Sequence, residues 1–113
     1  MAPLLAVDDL NTAALLCDHL ADRDLDAVHA VHVFAPDAGP TARRDGEEAL
    51  NVVRSRLGAS ASVTLHRPEG AVATAVVSLA TEADVSEVLV GHDGETAQAL
   101  RDRGLSVVAV EPQ

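Results

Sequence analysis

The chain of 113 residues has no Lys, Ile, Trp or Tyr, a single Phe (Phe34), a single Met and a single Cys (Cys17). Each shortage excludes something. Almost no aromatic surface is available for stacking bases, which argues against single-stranded nucleic acid as a partner. One cysteine makes no intrachain disulfide and no cysteine-rich metal site. Cys17 falls on the apolar side of an expected helix, where it reads as a small buried hydrophobe rather than a reactive thiol. No apolar run approaches the roughly 18 residues of a membrane span. Met1 to Leu5 lacks a basic region and its apolar run stops at Asp8, so it reads as a strand and not a signal peptide. The core must be made of Val, Leu and Ala.

Charge is equally one-sided. Eighteen acidic residues stand against 8 Arg, for a formal net charge of −10. Nucleic acid binding needs cations to neutralise phosphates, and anionic membranes repel a chain of this sign. A GC-rich genome accounts for missing Lys and Ile codons but not for the acid excess. That excess fits a salt-rich cytoplasm, such as that of a haloarchaeon, where a Debye length of about 3 Å screens self-repulsion.

The pattern alternates strand and helix throughout, with no internal repeat, and predicts one domain over 1–113. Leu4 to Val7 reads as the first strand. Leu10, Ala13, Ala14, Cys17, Leu20 and Ala21 then follow helical spacing, with Asp8 or Asp9 as cap. Ala27 to Phe34 is a second strand, followed by the Pro/Gly-rich loop 35–40. A helix over Thr41 to Leu57 presents Ala42, Ala49, Val52, Val53 and Leu57 and stops at Gly58. Ser62 to His66 is a third strand. Val72, Ala75, Val76, Leu79, Ala80 and Ala83 make an apolar helical stripe. Val85 to Val90 is a fourth strand, Glu95 to Arg103 a short helix ended by Gly104, and Leu105 to Val110 a fifth strand.

Strict alternation with short connections implies an α/β fold, a parallel sheet with helices on both faces. Two strand orders remain, 3-2-1-4-5 and 2-1-3-4-5. In either, ligands bind beyond the carboxyl ends of the strands. The residues placed there are Asp8, Asp9, Phe34 and its loop, Pro68 to Gly70, Gly91 to Gly94, and Glu111.

Ala6-Val7-Asp8, Val31-His32-Val33 and Val88-Leu89-Val90-Gly91-His92-Asp93-Gly94, in this element order, resemble the universal stress protein family over essentially the whole chain. The resemblance implies a three-layer α/β/α sandwich of the Rossmann-like, adenine nucleotide alpha hydrolase-like kind, with order 3-2-1-4-5. It implies a cytoplasmic stress-response domain that pairs with a second copy through the last strand and takes further protein partners. In nucleotide-binding members an Asp after the first strand and a Val in the second border the adenosine, and Gly-x2-Gly-x9-Gly-Ser/Thr holds the phosphates. By carry-over the nucleotide-binding positions are Asp8, Val33, Gly91 and Gly94, for ATP or AMP with Mg²⁺. The chain departs from that pattern at its third glycine. Leu105 follows Gly104, residues 95–103 read as a helix that Gly104 ends, and a helix of about three turns is missing. The rim offers Asp8, Asp9, Asp93 and Glu95, with His92 its nearest cation. The expectation is therefore a non-catalytic domain with a degenerate nucleotide site, the alternative an ATP or AMP sensor that keeps Mg²⁺-dependent binding.

Other chemistry finds little support. His29 and His32, three apart on one strand, point to opposite faces and cannot chelate one metal. His32 matches a packing histidine of the family, while His19 and His66 lack local partners. His92 with Asp8 or Asp93 would make a carboxylate-oriented imidazole suited to acid–base work or a metal. Asp93 also suits a helix N-cap. No nucleophile elbow, Walker lysine or H-E-x-x-H is present. A phosphoreceiver, suggested by Asp8-Asp9, needs a Lys that the chain does not have.

Overall fold

The computed structural model describes residues 2–110. Its elements run β1 (Pro3–Ala6), α1 (Leu10–Leu20), β2 (Ala27–Val31), α2 (Pro40–Leu57), β3 (Ser62–His66), α3 (Val72–Ala83), β4 (Glu87–Val90), α4 (Glu95–Asp102) and β5 (Val107–Ala109). All nine expected elements are present. The strands form one parallel sheet in the order β3-β2-β1-β4-β5.

The central strand β1 and its neighbour β4 have side chains buried on both faces. Leu4 and Leu5 point to opposite faces and both are fully buried, as are Val88 and Leu89. On one face Leu5, Val28, Ala30 and Leu89 pack against α1 and α2 through Ala13, Leu16, Leu20, Leu50 and Val53. On the other, Leu4, Val31, Val88 and Val90 meet α3 and α4 through Val76, Ala80, Ala97 and Leu100. Each fully buried Leu or Val contributes roughly 1.5–3 kcal/mol relative to exposure. Such a core compensates for the missing aromatics by repetition.

Element ends follow local chemistry. The Asp9 side chain accepts from the Thr12 amide at 2.8 Å and caps α1. Gly104, at φ +89, ends α4: its amide donates to the Arg101 carbonyl, and the Leu105 amide to that of Leu100. This pair of bonds is a Schellman motif, and its left-handed residue favours glycine. The third glycine of the phosphate pattern thus closes a helix here instead of opening one.

Several expected boundaries shift. Regular pairing of β2 stops at Val31, three residues before Phe34, because the chain needs only intermittent bonds there: His32 donates to the His66 carbonyl and Phe34 to that of Pro68. β4 begins at Glu87, not Val85, since the Val85 amide is used to close α3 against Ala80. β5 is an edge strand of three half-buried residues, shorter than Leu105–Val110. Leu10, Ala21 and Ala42, expected on apolar faces, are exposed, while Leu16, Gly46 and Leu50 hold the buried positions. Helical spacing identified these faces, but the angle at which each helix lies on a twisted sheet decided which end of its stripe is covered.

Gly46 belongs to this packing. A Cβ there would lie 2.5 Å from His32 Cδ2 and 2.7 Å from Phe34 Cε1. The missing side chain lets α2 approach an edge-to-face pair of His32 and Phe34, whose centroids are 4.6 Å apart. His32 is itself fixed by a 2.8 Å hydrogen bond between Nδ1 and the Val7 carbonyl, so the end of β1 is tied to the start of the loop after β2.

Candidate functional site

Strand order reverses between β1 and β4, which connect to neighbours on opposite sides of the sheet. At such a switch point the loops leaving the two strands diverge and open a crevice. Here it holds about 320 Å³ and is lined by Ala6, Asp8, Val72, Val90, Gly91, His92, Gly94, Glu95 and Thr96. That volume is at the small end of ligand pockets.

One wall is apolar. Val72, the first residue of α3, is 40% exposed because it stands at this opening beside Ala6 and Val90. It was expected inside the α3 stripe. The other wall is backbone. Gly91 presses against α1, where a Cβ would come within 2.7 Å of Thr12 Cγ2. The ring of His92 lies over Gly94, again within 2.7 Å of where a Cβ would be.

Of the four helices that begin at this end of the parallel sheet, the two whose first residues line the crevice, α3 and α4, have no side-chain cap. α3 follows Ala71 and α4 follows Gly94, with no capping acceptor at either. Their first-turn amides stay free to meet an acceptor, and the positive ends of both helix dipoles lie at the crevice side. Asp93, expected as the α4 cap, instead reaches Arg101 at 2.7 Å. The arginine about two turns along, in the last turn of α4, competes for its carboxylate, and Gly94 takes the capping position.

The acidic rim is also smaller than expected. Asp9 is used as a cap and Asp93 is paired with Arg101, which leaves Asp8 and Glu95 as the carboxylates lining the crevice among the described residues. No Arg lines it. Among the described residues His92 makes no hydrogen bond to Asp8 or Asp93, so the carboxylate-oriented imidazole does not form. No group of three or more His, Cys, Asp or Glu residues among those described could hold a metal.

Of the positions carried over from sequence, Asp8, Gly91 and Gly94 come together in the crevice. Val33 does not line it and packs half-buried against the core on the α3 side. Glu111 lies outside the described residues. Sequence reasoning missed Val72, Val90 and Thr96. An apolar residue at the first position of a helix is a usable signal, since it has no buried neighbour one turn before it.

A larger groove, about 700 Å³, lies elsewhere, along edge strand β3 and α3, lined by His66, Arg67, Thr74, Ser78 and Glu82 among others. α3 must cross from edge strand β3 to β4 on the far side of β1, so it settles over the centre of the sheet and leaves the β3 face open. His66, expected to be without a partner, meets His29 of β2 there: His29 Nδ1 and His66 Nε2 are 3.0 Å apart. Burial, chiefly, and then electrostatic repulsion from the neighbouring His29 push the His66 pKa below its ordinary value, with Glu82 partly opposing them.

No protein-family model matches the sequence, and no curated protein matches it significantly. Solved structures do resemble it. A universal stress family protein from Burkholderia pseudomallei superposes with a TM-score of 0.73 at 18% identity, over 96% of this chain and 94% of that one. The hypothetical protein MJ0577 gives 0.82 at 13% identity, over 99% and 96%. A universal stress protein in complex with cAMP gives 0.73 at 17% identity, over 98% and 96%. The five-stranded, three-layer α/β/α architecture of this chain is thus the one that universal stress proteins have. No helix of the described residues is long and apolar enough to cross a membrane.

Proposed function

We propose that this chain is a divergent universal-stress-type domain whose switch-point crevice holds a nucleotide carrying a single phosphate, and that it performs no chemistry on it. The observation that carries the reading is the pairing, in one small crevice, of an apolar wall (Ala6, Val72, Val90) with the uncapped start of α4 at Gly94. The apolar wall suits a base or ribose face, and the amides suit one phosphate. A triphosphate fits poorly: Asp8 and Glu95 line the crevice and no Arg does, so its extra charge would need Mg²⁺. A fold neighbour that holds cAMP supports a ligand of low charge. The non-catalytic part rests on the crevice lining, where no hydroxyl or thiol is hydrogen-bonded to a base.

Thermal unfolding in molar KCl with AMP, cAMP and Mg-ATP tests the reading. A ligand at 100 times its dissociation constant stabilises the native state by about 2.7 kcal/mol. AMP or cAMP should raise Tm more than Mg-ATP does, and Val72→Asp should abolish the shift. No shift with any of the three at millimolar concentration overturns nucleotide binding. A larger shift with Mg-ATP favours the sensor reading.

The same reading includes a homodimer through β5. β5 closes one edge of the sheet and leaves its outer row of backbone groups without a strand partner among the described residues. Such edges tend to be paired or covered. Light scattering in molar salt that gives a monomer at high protein concentration sinks it.

A further inference from the structure

We propose that His29 and His66 form a two-imidazole binding site for a divalent transition metal of the Cu²⁺ and Ni²⁺ type, separate from the switch-point crevice. The parallel register sets it up. Leu4 pairs with His29, and Val31 with His66, so the two histidines lie diagonally across β2 and β3 on the α3 side of the sheet. The ring centroids are 5.2 Å apart and the planes differ by 28°. With the facing nitrogens at 3.0 Å, that separation means the rings meet edge to edge rather than stacked face on face.

Between two neutral imidazoles so placed only one proton fits, one nitrogen donating and the other accepting. Moving that proton to the far nitrogen of its own ring leaves two lone pairs that face each other along the N···N line. Both tautomers are ordinary for histidine. At metal–nitrogen bonds of about 2.1 Å, two ligands at a right angle are about 3.0 Å apart and two at the tetrahedral angle about 3.4 Å apart. The observed spacing is the right-angle one, which square-planar and octahedral ions use, and imidazole is a ligand of choice for both copper and nickel. A metal about 2.1 Å from both nitrogens lies off that line, so each ring must turn by about 45° to aim its lone pair at it, a turn that two half-buried side chains, neither fully enclosed, have room to make.

The surroundings suit an ion that keeps water. His66 opens onto the groove of about 700 Å³, with room for solvent on the remaining coordination positions, and Glu82 lines the same groove as a counter-charge. No third His, Cys, Asp or Glu completes a preformed cluster among the described residues. The site is therefore a two-ligand chelate of modest affinity, open to an exogenous ligand.

Calorimetric titration of the full chain, free of any added histidines, with Ni²⁺ is the test, alongside the electron paramagnetic resonance spectrum with one equivalent of Cu²⁺. Wild-type protein should bind one Ni²⁺, and the Cu²⁺ spectrum should show two equatorial imidazole nitrogens. His29→Gln and His66→Gln should each weaken Ni²⁺ binding by about tenfold or more, because a single imidazole loses the chelate advantage. His92→Gln should leave it unchanged. Unchanged affinity in His66→Gln, or an equal loss in His92→Gln, overturns the assignment. Should the β-strand variants fail to fold, a wild-type Cu²⁺ spectrum with only one nitrogen overturns it alone.

Discussion

Replacing Gly46 by alanine sets two effects of opposite sign against each other. Gly46 lies inside α2, where alanine is the better helix former by about 0.8–1 kcal/mol. Against that gain stands the new methyl, 2.5 and 2.7 Å from His32 Cδ2 and Nε2 and 2.7 Å from Phe34 Cε1. Neither ring yields easily. Phe34 is only 5% exposed, and His32 is held by its bond to the Val7 carbonyl. Overpacking of this kind costs typically 1–3 kcal/mol, and displacing His32 forfeits a hydrogen bond worth about 1 kcal/mol. The net expectation is a loss of about 1–3 kcal/mol. At about 4 °C per kcal/mol for a chain near this size, Tm should fall by roughly 4–12 °C. Thermal unfolding by circular dichroism measures it. The double variant Gly46→Ala/His32→Ala should lose less than the two single losses added, since the methyl then has the vacated ring space. An unchanged or raised Tm in Gly46→Ala refutes the close approach of α2 to these rings.

Asp9→Ala should cost about 1 kcal/mol by freeing the Thr12 amide, and Asp9→Asn much less; chemical denaturation separates the two. His66 should make the protein acid-sensitive. Its folded pKa lies below the ordinary 6.5, so the unfolded chain binds the proton more tightly, and stability present above pH 6.5 is lost as the pH falls through the folded value. Tm measured from pH 7.5 to 5 should therefore fall less steeply in His66→Gln than in wild type. Cys17 is buried, and burial, the main cause, pushes its thiol up to about 11, while Arg56 lowers and Asp18 raises it. At pH 8 it should react with a disulfide reagent only as fast as the chain unfolds, and a fast native-state reaction contradicts its burial. With a net charge of −10 and ion pairs confined to the surface, Tm should rise as KCl is taken from about 0.1 to 1 M and the Debye length falls from about 10 to 3 Å. A flat salt response removes the halophilic expectation.

Local sequence determined the elements. Strand and helix periods, the Asp9 cap and the Gly104 stop depend on a few residues in a row, and every element they imply is present, with the ends of β2, β4 and β5 moved by one to three residues. The strand order came from the family resemblance, because periodicity alone is equally compatible with two orders, and the sheet has the order implied. Asp8, Gly91 and Gly94 were legible as neighbours because each lies in the loop that leaves β1 or β4, and strand ends converge at a switch point whatever the side chains are. Tertiary structure decided the rest. Val72 reads as core in a helical stripe and becomes a crevice wall only through the path of α3 across the sheet. Arg101 takes Asp93 from its capping role through a contact one helix face away. His29 and His66 are 37 residues apart and look partnerless in the chain. Only the register of β2 on β3, fixed by which faces the helices cover, brings their rings together, because a one-residue slip would turn either ring to the opposite side of the sheet.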